Sequence, residues 1–352
     1  PSPRSTPGAM ESKETASNVR VIVRIRPPKN DEPEASILDV DADGKGLHVK
    51  AEGAAMSSKF MFDHVFGPAS TTAAIFDAGV ESVVAKCLRG FNGTVLTYGG
   101  TGSGKTFTQC GCGPGTEDGI MSSSVGYLLA HGGRLEVSCM EIYKDTLRDL
   151  LTDPNHSSSS NSSQHHQSEL LIREDADKRI VVPGLTLEPC PDLASFVSLL
   201  QRAQAKRTVG ATALNQASSR SHFVVTVTVH SSNTSATSSA AEGGTQRMHH
   251  QTTSKLQLLD LAGSEDNRVT GNSGVRMEES GCINESLFTL ARVIDALNLK
   301  ACLKAQTKAV LSKAKSEEVV RKSASASSHG SGGSAGGSVG KVGGGASGLL
   351  VV

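Results

Sequence analysis

The chain has 352 residues, with Lys+Arg and Asp+Glu balanced at 35 each, so its formal net charge is +0 and no global field steers it onto DNA or an anionic membrane surface. Hydrophobic residues make up 37%, enough for one large α/β domain or two ordinary ones, while aromatics are only 3% with no Trp, which argues against a single-strand nucleic-acid binder built on stacking platforms. No run approaches the roughly eighteen apolar residues of a membrane span and the start lacks a signal peptide's apolar centre, so no membrane partner is expected and the expected compartment is cytosol or nucleus.

In chain order, residues 1–17 are Pro/Ser-rich and expected to be disordered. VRVIVRIR at 19–26 alternates apolar and basic residues and stops at Pro27-Pro28, as a strand ended by proline would. TVLTY at 94–98 is short, apolar and β-branched, and it runs straight into glycines. RLEVSCMEIY at 134–143 and HFVVTVTV at 222–229 are β-rich, and KLQLLDLAG at 255–263 reads as a buried strand ending in a Gly turn. Helical spacing appears at 193–207 and again from Ile283, where Ile283, Leu287, Leu290, Ile294 and Leu297 fall on one face. Strands alternating with helices imply an α/β fold around a mainly parallel sheet. The His/Ser insertion at 155–168, the Ser/Thr/Gly/Ala run at 231–245 and the Gly/Ser tail after about 316 have the composition of disordered or linker segments. Seven scattered cysteines form no disulfide framework, and Cys110 and Cys112 make a CxC with no second pair at zinc spacing.

GGTGSGKT at 99–106 fits GxxxxGK[ST] and lies between a predicted strand and a plausible helix, the context that motif requires. Gly99, Gly100, Thr101, Gly102, Ser103 and Gly104 form the loop whose backbone N–H groups converge on a β-phosphate. Lys105 neutralises the β/γ oxygens, and the Thr106 hydroxyl can ligate Mg²⁺. Two further segments, NQASSRSH at 215–222 and DLAGSE at 260–265, each adjoin a predicted strand. Asp260 can hold an Mg²⁺-bound water while the Gly263 amide reports a γ-phosphate. Ser218 and Ser219 could reach Mg²⁺, the γ-phosphate or the attacking water, and Arg220 and Glu265 could pair when both loops close. Taken singly, SSRSH could be a capping turn and DLAGSE a strand leaving the sheet; their coincidence with a P-loop argues against those readings. The lack of an NKxD guanine signal favours ATP over GTP.

Together these segments resemble the P-loop, switch I and switch II of the kinesin superfamily, with VRIRP at 23–27, FDHVF at 62–66, EIYKDTLRDLL at 141–151 and INESL at 283–287 as supporting matches. Within it the chain is most similar to the Kid-type chromokinesins of the kinesin-10 family, through LLIRED at 170–175, VPGL at 182–185, RTVGATALNQASSRSH at 207–222 and the long match from 260 to 288. The resemblance implies a P-loop NTPase motor head at 18–298, with a central, mostly parallel mixed sheet flanked by helices, and a microtubule-dependent ATPase of the cytoskeleton or spindle. It implies that Arg24, Arg26 and Pro27 border the adenine and that Phe107 stacks on it, a core aromatic being the alternative. Ser218, Ser219, Arg220 and Glu265 take the catalytic roles; Thr106, Ser219 and, through water, Asp260 the Mg²⁺. Arg268, Arg276 and Arg292 become candidate contacts to the acidic microtubule, Arg292 being otherwise an ordinary solvated arginine. Gly100 stands where kinesins usually carry Gln.

After Asn298 the likeness stops. The expected further helix, Gly-Gly-Asn turn and last apolar strand have no counterpart, and 299–352 reads as a basic segment followed by the Gly/Ser tail. A head incomplete at its C-terminal side is therefore expected, with an interior sheet position empty and its neighbours' N–H and C=O groups unpaired. The alternative function is a non-motile head that binds microtubules in a nucleotide-dependent way. No DNA-binding module is visible, and no coiled-coil heptads demand a dimer.

Overall fold

The computed structural model describes residues 19–29, 38–50, 57–111, 118–152, 170–210, 220–237, 246–265, 283–303, 306–307 and 348–351. Two compact units are distinguished. One comprises Val19–Ala291 with Gly343–Val352; the other comprises Pro1–Asn18 with Arg292–Val342, of which residues 292–303 and 306–307 are described and helical.

The elements are β1 (Val19–Arg24), β2 (Leu38–Val40), β3 (Gly46–Lys50), β4 (Ser57–Met61) and β5 (His64–Phe66), then α1 (Thr72–Ile75), which passes through a π turn at Phe76–Val80 into α2 (Glu81–Cys87). Next come β6 (Gly93–Thr97), α3 (Lys105–Cys110), α4 (Ile120–Ala130), β7 (Arg134–Tyr143), β8 (Thr146–Asp149), β9 (Arg173–Glu174), β10 (Ile180–Val181), β11 (Glu188–Cys190) and α5 (Leu193–Gly210). The chain continues through β12 (His222–Thr237), β13 (Gln246–Asp260), helix α6 over residues 283–303, and β14 (Gly348–Val351). The main sheet has the order β11-β7-β12-β13-β6-β14-β1-β5, with β8 added to β7. β13, β6, β14, β1 and β5 run parallel, whereas β12 pairs antiparallel with both β13 and β7. Small separate sheets join β2-β3-β4 and β9-β10.

Period-two alternation puts adjacent residues of one strand into different cores. Val95 of β6 lies under α2, α4 and α5 with Val137, Phe223, Leu256 and Leu258. Leu96, the next residue, joins Leu261 and Leu287 on a second cluster against which Ile283 and Leu290 of α6 pack. α5 follows its 3.6-residue period: Phe196, Leu199, Leu200 and Ala203 form the buried stripe. Its start is capped by Asp192, whose carboxylate accepts the Ser195 N–H at 2.7 Å and is held below the usual carboxylate range by that amide and the Ser195 hydroxyl.

Two expectations change. The 231–245 run is not structureless throughout: β12 and β13 form one long hairpin in which Ser231 pairs with Thr252 and Thr237 with Gln246. Where this polar stretch begins, hydroxyls pair across the two strands, Ser231 Oγ lying 2.8 Å from Thr252 Oγ1. More consequential, the interior sheet position is not empty. β14, from within the presumed Gly/Ser tail, runs parallel between β1 and β6, with Leu349, Leu350 and Val351 opposite Val19, Arg20 and Val21 on one side and Thr94, Val95 and Leu96 on the other. The head is therefore not missing that strand, and the stretch 299–352 is not wholly outside the fold. The 155–168 insertion and the stretch 1–17 lie outside the described residues.

Candidate nucleotide site

β6 delivers the P-loop. Gly102 and Gly104 adopt φ of 78° and 99°, left-handed values that a side chain would strain, and Gly104 caps α3. The Lys105 ammonium turns back into the loop and donates to the Gly99 and Gly100 carbonyls at 2.8 Å each. Burial lowers the Lys105 pKa, against the opposing pull of Asp260 and Glu265. Thr106 Oγ1 donates to Asp260 Oδ2 at 2.7 Å, so the P-loop hydroxyl and the strand-end acid meet as the two sequence motifs require. Asp260 is 1% exposed; burial raises its pKa, with Thr106, Arg207 and Lys105 opposing.

The DLAGSE segment docks directly on the loop. Ser264 N–H donates to the Gly99 carbonyl at 3.1 Å, and Glu265 accepts the Thr101 N–H at 2.9 Å and the Thr101 hydroxyl. Burial pushes the Glu265 carboxyl up, but these Thr101 donors and the Lys105 charge outweigh it and hold the pKa below its usual value. Gly263 sits beneath this contact. A Cβ there would collide with Thr101 Oγ1 and both Glu265 carboxylate oxygens, so a side chain at 263 would force this Thr101–Glu265 contact to shift. Gly100 has room for a side chain, its virtual Cβ meeting nothing nearer than Glu265 Oε2 at 3.9 Å. Replacement of the customary Gln by Gly is thus sterically unforced. Ser103 completes the loop, its N–H donating to the Gly100 carbonyl at 3.2 Å.

The adenine-side residues divide. Arg24 Nη1 donates to Thr72 Oγ1 at 3.1 Å and Thr108 Oγ1 at 2.8 Å, and its guanidinium lies 4.8 Å from the Phe107 ring centroid, so it binds β1 to α1 and α3 and covers one face of Phe107. Arg26 is half-buried, with Nη1 on the Pro27 carbonyl at 2.9 Å, and lies beside Gly104, while Pro27 is exposed. Arg220 is half-buried, and Glu265 is hydrogen-bonded to Thr101 in this arrangement. Arg292 is exposed on α6. Ser218, Ser219, Arg268 and Arg276 lie outside the described residues. Of the CxC, Cys110 is buried with its thiol pushed up to about 12 by burial, and Cys112 is outside them too.

Sequence reasoning missed a buried charge relay behind the site. Arg207 Nη1 is 3.7 Å from Asp260 Oδ2 and its Nε is 3.6 Å from Glu141 Oε1. Its Nη2 donates to the Ser221 carbonyl and hydroxyl at 3.2 Å, and Ser221 Oγ donates to Glu141 Oε1 at 2.6 Å. The periodicities do contain this signal. Arg207 continues the α5 stripe of Leu200 and Ala203, and Glu141 continues the inward row Leu135, Val137, Cys139 of β7. Both charges were therefore bound for the interior and needed each other. Arg207→Met leaves Glu141 with only the half-exposed Arg148 and Asp260 with only Lys105 for a counter-charge, and is expected to cost about 3–5 kcal/mol of stability. Urea unfolding of the variant checks this, and a loss under about 1 kcal/mol would show that the relay is solvated rather than buried.

A glycine-rich phosphate loop bonded to a strand-end aspartate, on a mixed sheet flanked by helices, defines a P-loop NTPase. The chain belongs to the kinesin family: the kinesin motor domain matches residues 14–314, which extends beyond Asn298. Curated relatives include the kinesin-like protein KIF22 of Danio rerio, 38% identical over 310 residues covering 84% of this chain and 44% of that protein. The kinesin-like protein KIN-10B of Arabidopsis thaliana is 33% identical over 297 residues, covering 80% of this chain and 43% of that protein. These relatives agree with the Kid-type, kinesin-10 likeness; the chain spans less than half of their length. Among solved structures, a fast kinesin superposes with a TM-score of 0.62 at 28% identity, covering 76% of this chain and 73% of that one. A KIF14 dimer in its two-heads-bound AMP-PNP state on a microtubule superposes with a TM-score of 0.65 at 27% identity, covering 81% and 78%.

Proposed function

We propose that this chain is the head of a microtubule-dependent ATPase that couples its switch segments to track affinity, acting at microtubules and the spindle. The observation that carries the reading is the junction of Thr106 with Asp260 and of Thr101 with Glu265, which brings the glycine-rich loop and the DLAGSE segment into direct contact. Thr106 and Asp260 offer hydroxyl and carboxylate oxygens, the hard donors that suit Mg²⁺, with Asp260 acting through water and Ser219 as a further candidate ligand. Bound there, Mg²⁺ would neutralise phosphate charge.

The chain's own residues supply the rest. Lys105 exchanges the Gly99 and Gly100 carbonyls for β/γ-phosphate oxygens, and the Gly263 amide faces the γ-phosphate. Ser218 and Ser219 position the attacking water. Glu265 leaves Thr101 to meet Arg220, closing the site against solvent. Arg26, Pro27 and Phe107 flank the base, and Arg24 holds Phe107 in place. Arg268, Arg276 and Arg292 face the acidic track.

The test is co-sedimentation with polymerised microtubules in a non-hydrolysable ATP analogue and in ADP. Binding is expected to be about tenfold tighter with the analogue, a coupling of roughly 1.4 kcal/mol. Equal pelleting in both nucleotides would contradict the proposed coupling.

A further inference from the structure

His222, the last residue of the SSRSH segment and the first of β12, is 8% exposed and makes hydrogen bonds to two other elements. Its Nδ1 lies 3.2 Å from the Ala262 backbone N–H, next to Gly263, and its Nε2 lies 2.9 Å from Ser286 Oγ on α6. Ser286 Oγ itself donates to the Ile283 carbonyl at 2.7 Å.

The protons of this chain can be counted. An amide can only donate, so Nδ1 must be the acceptor. A serine hydroxyl has one proton, and Ser286 has given it to Ile283, so toward His222 it can only accept. Nε2 therefore carries the imidazole proton, and both ring nitrogens are satisfied in the neutral form alone. Burial, reinforced by the Arg207 charge, lowers the His222 pKa and agrees with that neutral ring.

The result is a directed chain from Ala262 N–H through His222 to Ser286 and the Ile283 carbonyl in the first turn of α6. Imidazole is planar and rigid, so it fixes the separation of the two ends. One end is the segment whose Glu265 grips Thr101 of the phosphate loop. The other is a helix that also rests on Leu261 through Leu287. Apolar contact alone lets a helix slide; a hydrogen-bonded ring does not, because displacement orphans a buried N–H, at a cost of about 1–3 kcal/mol.

We propose that His222 is a positioning residue that makes α6 follow the 261–265 segment, so that a change at the γ-phosphate sensor displaces the helix instead of being absorbed between them. It rests on the nucleotide-site reading above. The role needs both nitrogens, which separates it from simple packing: His222→Asn keeps an acceptor where Nδ1 was, and His222→Gln keeps a donor where Nε2 was.

The experiment is hydrogen–deuterium exchange of the full chain with and without a non-hydrolysable Mg·ATP analogue, read at 261–265 and at 283–291, for the wild type, His222→Asn, His222→Gln and Ser286→Ala. In the wild type both segments are expected to respond. In each variant the 261–265 response is expected to persist while that of 283–291 falls at least about fivefold, and His222→Asn with Ser286→Ala is expected to be no worse than either alone. A 283–291 response that survives in His222→Asn and Ser286→Ala overturns the inference, as does loss of both responses together. Nitrogen NMR of His222 in the nucleotide-free wild type gives an independent reading. The Nε2–H tautomer is expected, and an Nδ1–H or doubly protonated ring overturns the inference even where nucleotide binds. Failure of the wild type to bind the analogue while the Nε2–H tautomer is present would contradict the nucleotide-site reading instead.

Discussion

Deleting Gly348–Val351 is expected to lower the thermal midpoint by on the order of 10 °C or more. β14 lies inside the sheet, pairing three residues with β1 and four with β6. Its removal parts β1 from β6 and leaves facing N–H and C=O groups of both strands without partners. At about 1 kcal/mol net for each ladder hydrogen bond, the sum reaches several kcal/mol, a large share of the roughly 5–15 kcal/mol that a domain has to lose. Leu350→Pro tests the same point with the chain length preserved. Proline removes one ladder N–H and cannot sit in a central strand, so this variant should move in the same direction by about 3 kcal/mol or more. Circular dichroism melts of both variants check it. Midpoints within about 2 °C of the wild type would mean that β14 does not support the sheet.

The second large effect is on ligand binding. Lys105→Ala is expected to weaken ATP affinity by about 100-fold or more while leaving the melting curve without ATP nearly unchanged. Among the described residues the ammonium hydrogen-bonds the Gly99 and Gly100 carbonyls, in a loop exposed at Thr101 and Gly102, while buried Asp260, which also feels its charge, keeps Thr106 and Arg207. Its loss therefore orphans no deeply buried partner. Toward phosphate the same group makes charge-assisted bonds worth about 1.5–3 kcal/mol each, and losing two of them amounts to at least a hundredfold. Lys105→Arg should recover little, since a planar guanidinium does not fit where a compact ammonium turns back between two carbonyls. Titration with a fluorescent ATP analogue gives the number. Affinity within about threefold of the wild type in Lys105→Ala would place the phosphates elsewhere.

The contrast between Arg207 and Lys105 separates two jobs. Arg207 is surrounded by Glu141, Asp260 and Ser221 and is expected to matter for the fold; Lys105 hydrogen-bonds its own loop and is expected to matter for the ligand.

The parts of this site that the sequence revealed are those whose chemistry is local. Gly102, Gly104, Lys105 and Thr106 are consecutive or nearly so, and the backbone angles the loop needs dictate the letters. β7 appears where the β-rich run RLEVSCMEIY placed it, and α5 and α6 where their 3.6-residue periods did. Glu141 and Arg207 were legible in a weaker sense, because periodicity aims each inward but only the folded sheet shows that they meet. β14 was not legible at all: GLLV follows a Gly-rich stretch, is too short to carry a period, and owes its state to β1 and β6, which lie far away in the chain. The extension of β12 and β13 through Ser/Thr residues was hidden for a related reason, composition arguing for a loop while cross-strand pairing stabilises a ladder. Arg24 shows the limit of motif matching, since nothing in VRIRP indicates the bonds to Thr72 and Thr108 that the folded chain makes.

The most direct test of the account is steady-state phosphate release by the purified chain with and without polymerised microtubules. Turnover should rise about tenfold or more with microtubules, a barrier change of roughly 1.4 kcal/mol, and should collapse in Lys105→Ala. Wild-type turnover that ignores microtubules while ATP still binds would contradict it.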